Sequence, residues 1–374
     1  MGVPGPGNDS YDRPKSVTTG ECIPPVTDWS RQPMKEHMHQ VTLNFADGVS
    51  RSFSVASQKS ILDAALEAEI PLLYQCRSGS CSSCMAQLSQ GDAVTRPGAS
   101  STLLASEYAA GQRLLCICQA QSDCTFDLGY GSAVGSSTAR EVHVFVDSVE
   151  RIASNVMRLV VELAEGDWLD FRPGQFMQID VPGYGAVRSY SPSSTAVDLP
   201  RLEFLVRLLP GGAMSGYLEE RAASEDVLTL SGPYGAFFLR EEKRRAPHIF
   251  VAGGTGLAPI LSMIDALRQG SGRKPPMLLS FGCAVPDALF CLDEIELRQQ
   301  WLPSLEARIC VDREPRDGLL HGSPVSALRE GDVSAETVAY LCGPQPMINA
   351  ATVRLIELGA DPANIFAEQF VPSN

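Results

Sequence analysis

The sequence predicts three modules in series: a small α+β module over residues 38–130, a small antiparallel barrel over 141–245, and an α/β module on a doubly wound parallel sheet over 246–374. Three patterns predict it. An alternating strand pair and a capped helix precede a cysteine-rich loop; short strand signals then recur at close intervals; after Pro247, apolar strands alternate with helical stretches.

Val41, Leu43 and Phe45 alternate up to Asp47-Gly48, a hairpin signal, and Phe53 and Val55 continue beyond it. Ser60 caps a helix expected from Ile61 to Glu69 and closed off by Pro71. From Glu141, strands are expected at Val142–Val146, Met157–Val161, Phe176–Val181, Leu202–Val206 and Val227–Thr229, with one helix among them. Strands at His248–Ala252, Met277–Phe281, Arg308–Val311, Val338–Leu341 and Ile365–Phe366 then alternate with helices, the pattern of a nucleotide-binding sheet. Residues 131–140 are small and polar and read as a linker. Residues 1–37 are rich in Gly and Pro, lack the apolar core of a signal peptide, and are expected to be a disordered extension; Met34 and Met38 are alternative starts to Met1.

A chain of 374 residues can bury two or three cores. Its 44 acidic against 30 basic residues leave a net charge of −14, which argues against nucleic acid or an anionic membrane as the main partner. The 11 cysteines are odd in number and scattered, unlike a secreted disulfide framework, so a reducing cytoplasm is expected. No apolar run approaches the length that spans a bilayer.

Cys76, Cys81 and Cys84 stand in C-x4-C-x2-C spacing, and Cys116 follows at a distance, which is the plant-type ligand set of a [2Fe-2S] cluster. Gly79 and the serines around it let backbone N–H groups approach the sulfides. Zinc and a disulfide are the alternatives, though zinc sites more often pair two C-x2-C knuckles. The segment Cys76-Arg77-Ser78-Gly79-Ser80-Cys81-Ser82-Ser83-Cys84 resembles the cluster loop of photosynthetic ferredoxins, and the resemblance, over roughly residues 38–130, implies a β-grasp ferredoxin. Cys118, two residues past Cys116 and expected on the same face of an extended strand, is a second candidate for the fourth ligand. Relatives carry that ligand after an apolar strand pair, which favours Cys116.

Arg188-Ser189-Tyr190-Ser191, followed by Gly211-Gly212-Ala213-Met214-Ser215, resembles the flavin motif of the ferredoxin-NADP reductase superfamily and implies a six-stranded antiparallel flavin-binding barrel. On that resemblance Arg188 pairs with a pyrophosphate, with Ser189 beside it; Tyr190 lies against the isoalloxazine and Ser191 near the flavin N5. Gly212, Met214 and Ser215 then form the second pyrophosphate contact at a helix N-terminus. FAD is implied rather than FMN. Gly232-Pro233-Tyr234-Gly235 also matches the family and reads either as an edge of the flavin pocket or as a turn.

Gly253-Gly254-Thr255-Gly256-Leu257-Ala258-Pro259 follows an apolar strand and opens a helix, the context in which a glycine loop binds pyrophosphate. Pro259 replaces the third Gly of the dinucleotide fingerprint, and this variant is the one that superfamily uses. Phe281-Gly282 and Cys342-Gly343-Pro344 lie at carboxyl ends of strands, where ligands bind in such sheets. The resemblance gives Cys342 the role of placing the nicotinamide, and makes Phe370 the candidate aromatic near the flavin. Residues 283–289 carry Asp287 and no base, which favours NADH over NADPH.

The order of the three modules resembles the reductase component of aromatic-ring-hydroxylating dioxygenases of the benzoate, anthranilate and terephthalate group. That resemblance implies an electron route from NADH to FAD to [2Fe-2S] to a terminal oxygenase, of the Rieske non-haem iron type, or to its ferredoxin. Reductases of di-iron monooxygenases and of a deoxysugar dehydratase share the same modules and are the alternatives. Plant-type clusters lie near −400 mV, low for a flavin donor, so a higher cluster potential is expected. Hydride transfer needs no acid or base, and His143, His248 and His321 read as structural or surface residues.

Overall fold

The computed structural model describes Gly2 and residues 37–74, 77–79, 83–103, 105–133 and 139–369. The expectations for residues 1–36, Cys76, Cys81, residues 134–138 and Phe370 lie outside the described residues.

The first module contains β1 (Met38–Asn44), β2 (Ser50–Ala56), α1 (Ile61–Glu67), β3 (Met85–Gln90), β4 (Ala93–Thr95), α2 (Ala105–Ala109), β5 (Gln112–Leu114), β6 (Cys118–Ala120) and β7 (Cys124–Asp127). Its main sheet runs β2-β1-β7-β3-β5, with β1 and β7 parallel and the other pairs antiparallel; β4 and β6 form a separate ribbon. This is the β-grasp arrangement. The hydroxyl of Ser60 accepts the Asp63 N–H at 3.1 Å and so satisfies one orphan donor of α1, which buries Ile61, Leu62, Ala64 and Ala65. Phe126, fully buried on β7, contributes about 2–3 kcal/mol by leaving water. At the hairpin turn, Asp47 accepts both the N–H and the hydroxyl of Ser132, at 2.8 and 2.7 Å, fastening the chain that leaves this module.

The second module contains β8 (Arg140–Ala153), β9 (Val156–Leu163), β10 (Phe176–Val181), β11 (Ala186–Tyr190), β12 (Arg201–Arg207), α3 (Ala213–Glu220) and β13 (Val227–Tyr234). The sheet order is β11-β10-β13-β8-β9-β12, antiparallel throughout, and a bridge between Pro192 and Phe204 joins its two edges into a barrel. Alternate residues Val142, Val144, Val146, Leu159 and Val161 fill the interior.

The third module contains β14 (His248–Gly253), α4 (Leu257–Gln269), β15 (Met277–Cys283), α5 (Leu292–Trp301), β16 (Leu305–Val311), β17 (Leu320–His321), β18 (Val338–Gly343), α6 (Gln345–Glu357) and β19 (Ile365–Gln369). All neighbours are parallel in the order β17-β16-β15-β14-β18-β19, so the strand order reverses between β14 and β18. A crevice for a ligand opens at the carboxyl ends of strands at such a reversal. Arg158 on β9 joins barrel to sheet by pairing with Glu203 at 3.3 Å and with Glu294 on α5. Among the described residues, no helix is long and apolar enough to cross a membrane.

Arg188-Ser189-Tyr190 follows β10 and itself forms β11, whose Val187 and Ser189 face out, so no apolar alternation betrays that strand. Two expectations require correction. Gly232-Pro233-Tyr234 is the end of β13 rather than a turn. Cys116 does not share an extended strand with Cys118: it lies in a turn closed by Ile117 N–H to Leu114 O at 3.1 Å, and Cys118 starts β6 opposite Thr95.

His248 is 1% exposed and packs beside both Phe250 and Tyr340, at centroid distances of 5.9 and 6.1 Å. Burial pushes its pKa down to about 4. Below about pH 6.5 the unfolded chain takes up a proton that the fold refuses, so stability falls as pH drops toward 4. His248→Phe should remove that acid loss, on the order of 3 kcal/mol when fully developed. Melting temperatures at pH 7 and pH 4.5 test this: an unchanged difference between the two in the variant would rule His248 out.

Candidate functional site

The cluster loop is built on close backbone contacts. Gly79 has φ +84°, and a Cβ there would lie 2.3 Å from the Ser100 carbonyl oxygen. Its own carbonyl accepts the N–H and the hydroxyl of Thr102, at 3.0 and 3.1 Å. Cys84 and Cys116 are 3% and 4% exposed, and two bonds join their segments: Leu115 N–H to Cys84 O at 3.0 Å and Cys116 N–H to Cys84 Sγ at 3.4 Å. An amide aimed at a sulfur favours the thiolate form that a cluster iron requires. Cys118 is buried on β6, and burial pushes its thiol up to about 12, the behaviour of a core thiol.

Across the barrel, Arg188, Ser189 and Tyr190 pair with Ile179, Gln178 and Met177. The Arg188 guanidinium donates to the Val187 carbonyl at 2.9 Å, and the Tyr190 ring is partly buried against the barrel core, which raises its phenol pKa. Gly211, at φ +72°, turns the chain into α3, whose N-cap is Gly212. Ser215 turns back to accept the Leu209 N–H at 2.8 Å, and Met214 packs into the barrel core.

On the parallel sheet, Gly253 ends β14, and Gly254, Thr255 and Gly256 form a single 3-10 turn leading into α4. A Cβ on Gly256 would stand 2.2 Å from the Cys342 carbonyl oxygen and 2.5 Å from its carbon; one on Gly253 would meet Met347 and Pro344 within 2.9 Å. The glycine loop thus lies directly on the Cys342-Gly343-Pro344 strand end, and Pro259 is buried in the first turn of α4. Phe281 packs against Phe290 in the core at 5.4 Å, and Gly282 meets Pro324 and the Cys310 carbonyl. In the loop after β15, Asp287 is exposed, and the Arg313 N–H donates to the Ala284 carbonyl at 2.8 Å, so one base stands beside a segment that has none of its own.

Barrel and sheet meet at a residue that sequence reading passed over. Glu368 on β19 pairs with Cys342 on β18, and its carboxylate accepts the Ser191 hydroxyl at 3.5 Å. Burial pushes its pKa up to about 8, and its charge in turn raises the Cys342 thiol, which burial has already lifted well above the ordinary value. Ser191, one residue past β11, therefore meets Glu368 of β19, which lies beside Cys342 of β18. Only the strand pairing identifies Glu368; in sequence it is one acidic residue near a terminus.

Gly256→Ala should abolish most NADH-driven turnover, because backbone cannot move aside as a side chain can, while leaving the flavin spectrum in place. Stopped-flow reduction by NADH beside photoreduction checks it; equal rates for variant and parent by NADH would refute the close-packing argument.

Three families match. One described as the oxidoreductase FAD-binding domain covers residues 143–239, the 2Fe-2S iron-sulfur cluster binding domain covers 44–121, and the oxidoreductase NAD-binding domain covers 250–352. The chain is 32% identical over 337 residues to a toluate 1,2-dioxygenase electron transfer component of Pseudomonas putida, covering 90% of this chain and 99% of that protein. It is 36% identical over 303 residues to methane monooxygenase component C of Methylosinus trichosporium, covering 78% and 86%. The crystal structure of the Amycolatopsis cytochrome P450 reductase GcoB superposes with a TM-score of 0.67 at 26% identity, covering 89% of this chain and 99% of that one. The glycine cradle, the convergence at Ser191 and the amide aimed at Cys84 fit the three groups these families bind. The chain belongs to the oxygenase electron transfer components, in which a [2Fe-2S] ferredoxin is fused to FAD- and NAD-binding modules and electrons pass from NADH through FAD to the cluster.

Proposed function

We propose that this reductase feeds single electrons to a terminal oxygenase in the cytoplasm, of the Rieske non-haem iron type or through that oxygenase's ferredoxin, for hydroxylation of an aromatic ring. The observation that carries the reading is the convergence of Ser191 from the barrel with Cys342 and Glu368 from the sheet, beside the glycine loop. The toluate dioxygenase relative supports the partner class. The methane monooxygenase relative favours a second reading, in which the acceptor is a monooxygenase.

When bound, NADH supplies a hydride, FAD converts two-electron to one-electron transfer, and the cluster carries one electron at a time. The protein's own residues divide the work. Cys76, Cys81, Cys84 and Cys116 hold the cluster. Arg188 with Ser189 would hold one side of the FAD pyrophosphate, and Gly212, Met214 and Ser215 the other; Tyr190 and Phe370 would supply aromatic contact to the flavin. Gly253, Gly254, Thr255, Gly256 and Pro259 would cradle the NADH phosphates, with Gly282, Gly343 and Pro344 at the strand ends beside them and Phe281 supporting them from the core. Cys342, buried beneath this loop and beside Glu368, would help to place the nicotinamide. Once both electrons of a hydride have left singly, one proton remains. Ser191 Oγ can pass it to Glu368 Oε2, whose pKa of about 8 suits a group that takes and releases protons near neutrality.

An anaerobic NADH titration followed by visible absorption and low-temperature EPR tests the route. Uptake of three electrons per chain, with flavin bleaching and a rhombic cluster signal, is expected; flavin reduction without a cluster signal would sink it. NADH should outperform NADPH in catalytic efficiency, and equal efficiencies would remove the preference. Cytochrome c reduction should rise with pH through about 8 as Glu368 becomes able to accept a proton. Glu368→Gln should lose that limb and fall about tenfold; a profile like the parent's would leave Glu368 outside the proton path.

A further inference from the structure

Arg240 is 5% exposed, binds residues of the barrel and nicotinamide modules and approaches the ferredoxin module at Gly129. Its guanidinium lies over Phe238 at 4.1 Å and over Phe366 of β19 at 4.6 Å. Its Nη2 donates to the Ala236 carbonyl at 3.1 Å, and its backbone N–H donates to the Tyr340 hydroxyl at 2.8 Å. Nη2 also approaches the backbone of Gly129, within 4.0 Å of where a Cβ there would stand. Nε and Nη1 have no hydrogen-bond partner. A buried cation so sparsely bonded is held by ring faces, which attract it through their quadrupoles.

These contacts form a seam between the modules. Phe238, from the end of the barrel module, is 2% exposed and packs within the hydrophobic core of the ferredoxin module. On the ferredoxin side, Tyr130 is 4% exposed, accepts the Leu73 N–H through its hydroxyl at 3.2 Å and meets Phe45 edge-on at 6.1 Å. On the nicotinamide side, Phe366 stacks on Tyr340 at 5.5 Å and lies two residues before Glu368 on the same strand. Arg240 therefore stands between the ferredoxin core and the strand that carries Glu368 to Ser191.

We propose that Arg240 is the positioning residue of the electron-transfer junction: its guanidinium, clasped by Phe238 and Phe366, holds the ferredoxin module in the pose in which one electron leaves the reduced flavin and converts one ferric ion of the cluster to ferrous. No bond forms or breaks in that step. The guanidinium is suited to the task because it is planar and always charged, so it stacks on two rings at once. Lys cannot do so. The inference rests on the proposed route from flavin to cluster.

The test uses the holoprotein with Arg240→Met, which removes the charge and keeps the length, and with Arg240→Lys, which keeps the charge and loses the plane. NADH-driven ferricyanide reduction reads flavin alone, and cytochrome c reduction reads transfer through the cluster. In both variants ferricyanide reduction should stay within about twofold of the parent, while cytochrome c reduction falls by about tenfold or more, since small displacements between reacting partners cost that much. Independently of turnover, hydrogen exchange should quicken in the peptides holding Leu73 and Tyr130. Unchanged cytochrome c reduction in both variants would overturn the proposal. So would an equal loss of both activities, which would make Arg240 a support of the reductase body. Should Arg240→Met fail to retain its cofactors, Arg240→Lys alone decides by the same split. A parent that reduces ferricyanide but not cytochrome c would instead defeat the flavin-to-cluster route itself.

Discussion

The carbonyl of Cys342 occupies the space that any side chain on Gly256 would need, and the organisation of the nicotinamide side follows from that contact. With no atom between them, the loop after β14 and the end of β18 become one surface, and α4 begins directly above it. The strand order reverses there, the position at which ligands bind in such sheets. Gly343, at φ +153°, packs against the backbone of Gly253 and completes the fit. A side chain at any of these positions would push the strand ends apart, and with them the parallel neighbour β19 that carries Glu368.

Much of this was legible in the sequence because most strands have one buried face and announce it by alternation. Val142, Val144 and Val146, or Leu202, Phe204 and Val206, could hardly be read otherwise. The glycine loop was legible for a different reason, since few sequences other than a phosphate-binding turn place glycines between an apolar strand and a helix. The misses have physical causes. The strand β11 turns Val187 and Ser189 outward, and β17 is two exposed residues at a sheet edge, so neither carries a periodic signal. Glu368 gained its role only when β19 paired beside β18, a contact between residues 342 and 368 that no local pattern encodes. Arg240 was hidden likewise, because an Arg after Phe-Phe-Leu reads as the end of a strand until three modules close over it.

Two kinds of charged or titratable group are withdrawn wholly or partly from water in this fold. Arg308 and Asp332 satisfy each other through two bonds of 2.6 and 2.9 Å, which fixes the loop after β17 to β16 and leaves no group to titrate near neutrality. Glu368, His248 and Arg240 are different: each is desolvated without a full complement of partners, and in each burial opposes the charged form. A fold keeps such groups at a cost in stability. Glu368 lies beside Ser191 and Cys342, and Arg240 beside the ferredoxin core and β19, whereas His248 packs among aromatic rings.

The grip of Asp47 on Ser132 sets the length of the leash between the modules. From Ser132 to the first residue of β8, Arg140, the chain can span at most about 28 Å. A leash that short holds the ferredoxin module near the flavin at an effective concentration on the order of millimolar or above, whatever the concentration of protein around it. Passage of electrons within one chain is then a first-order event that dilution does not slow, and only the encounter with the external acceptor depends on how much protein the cell makes.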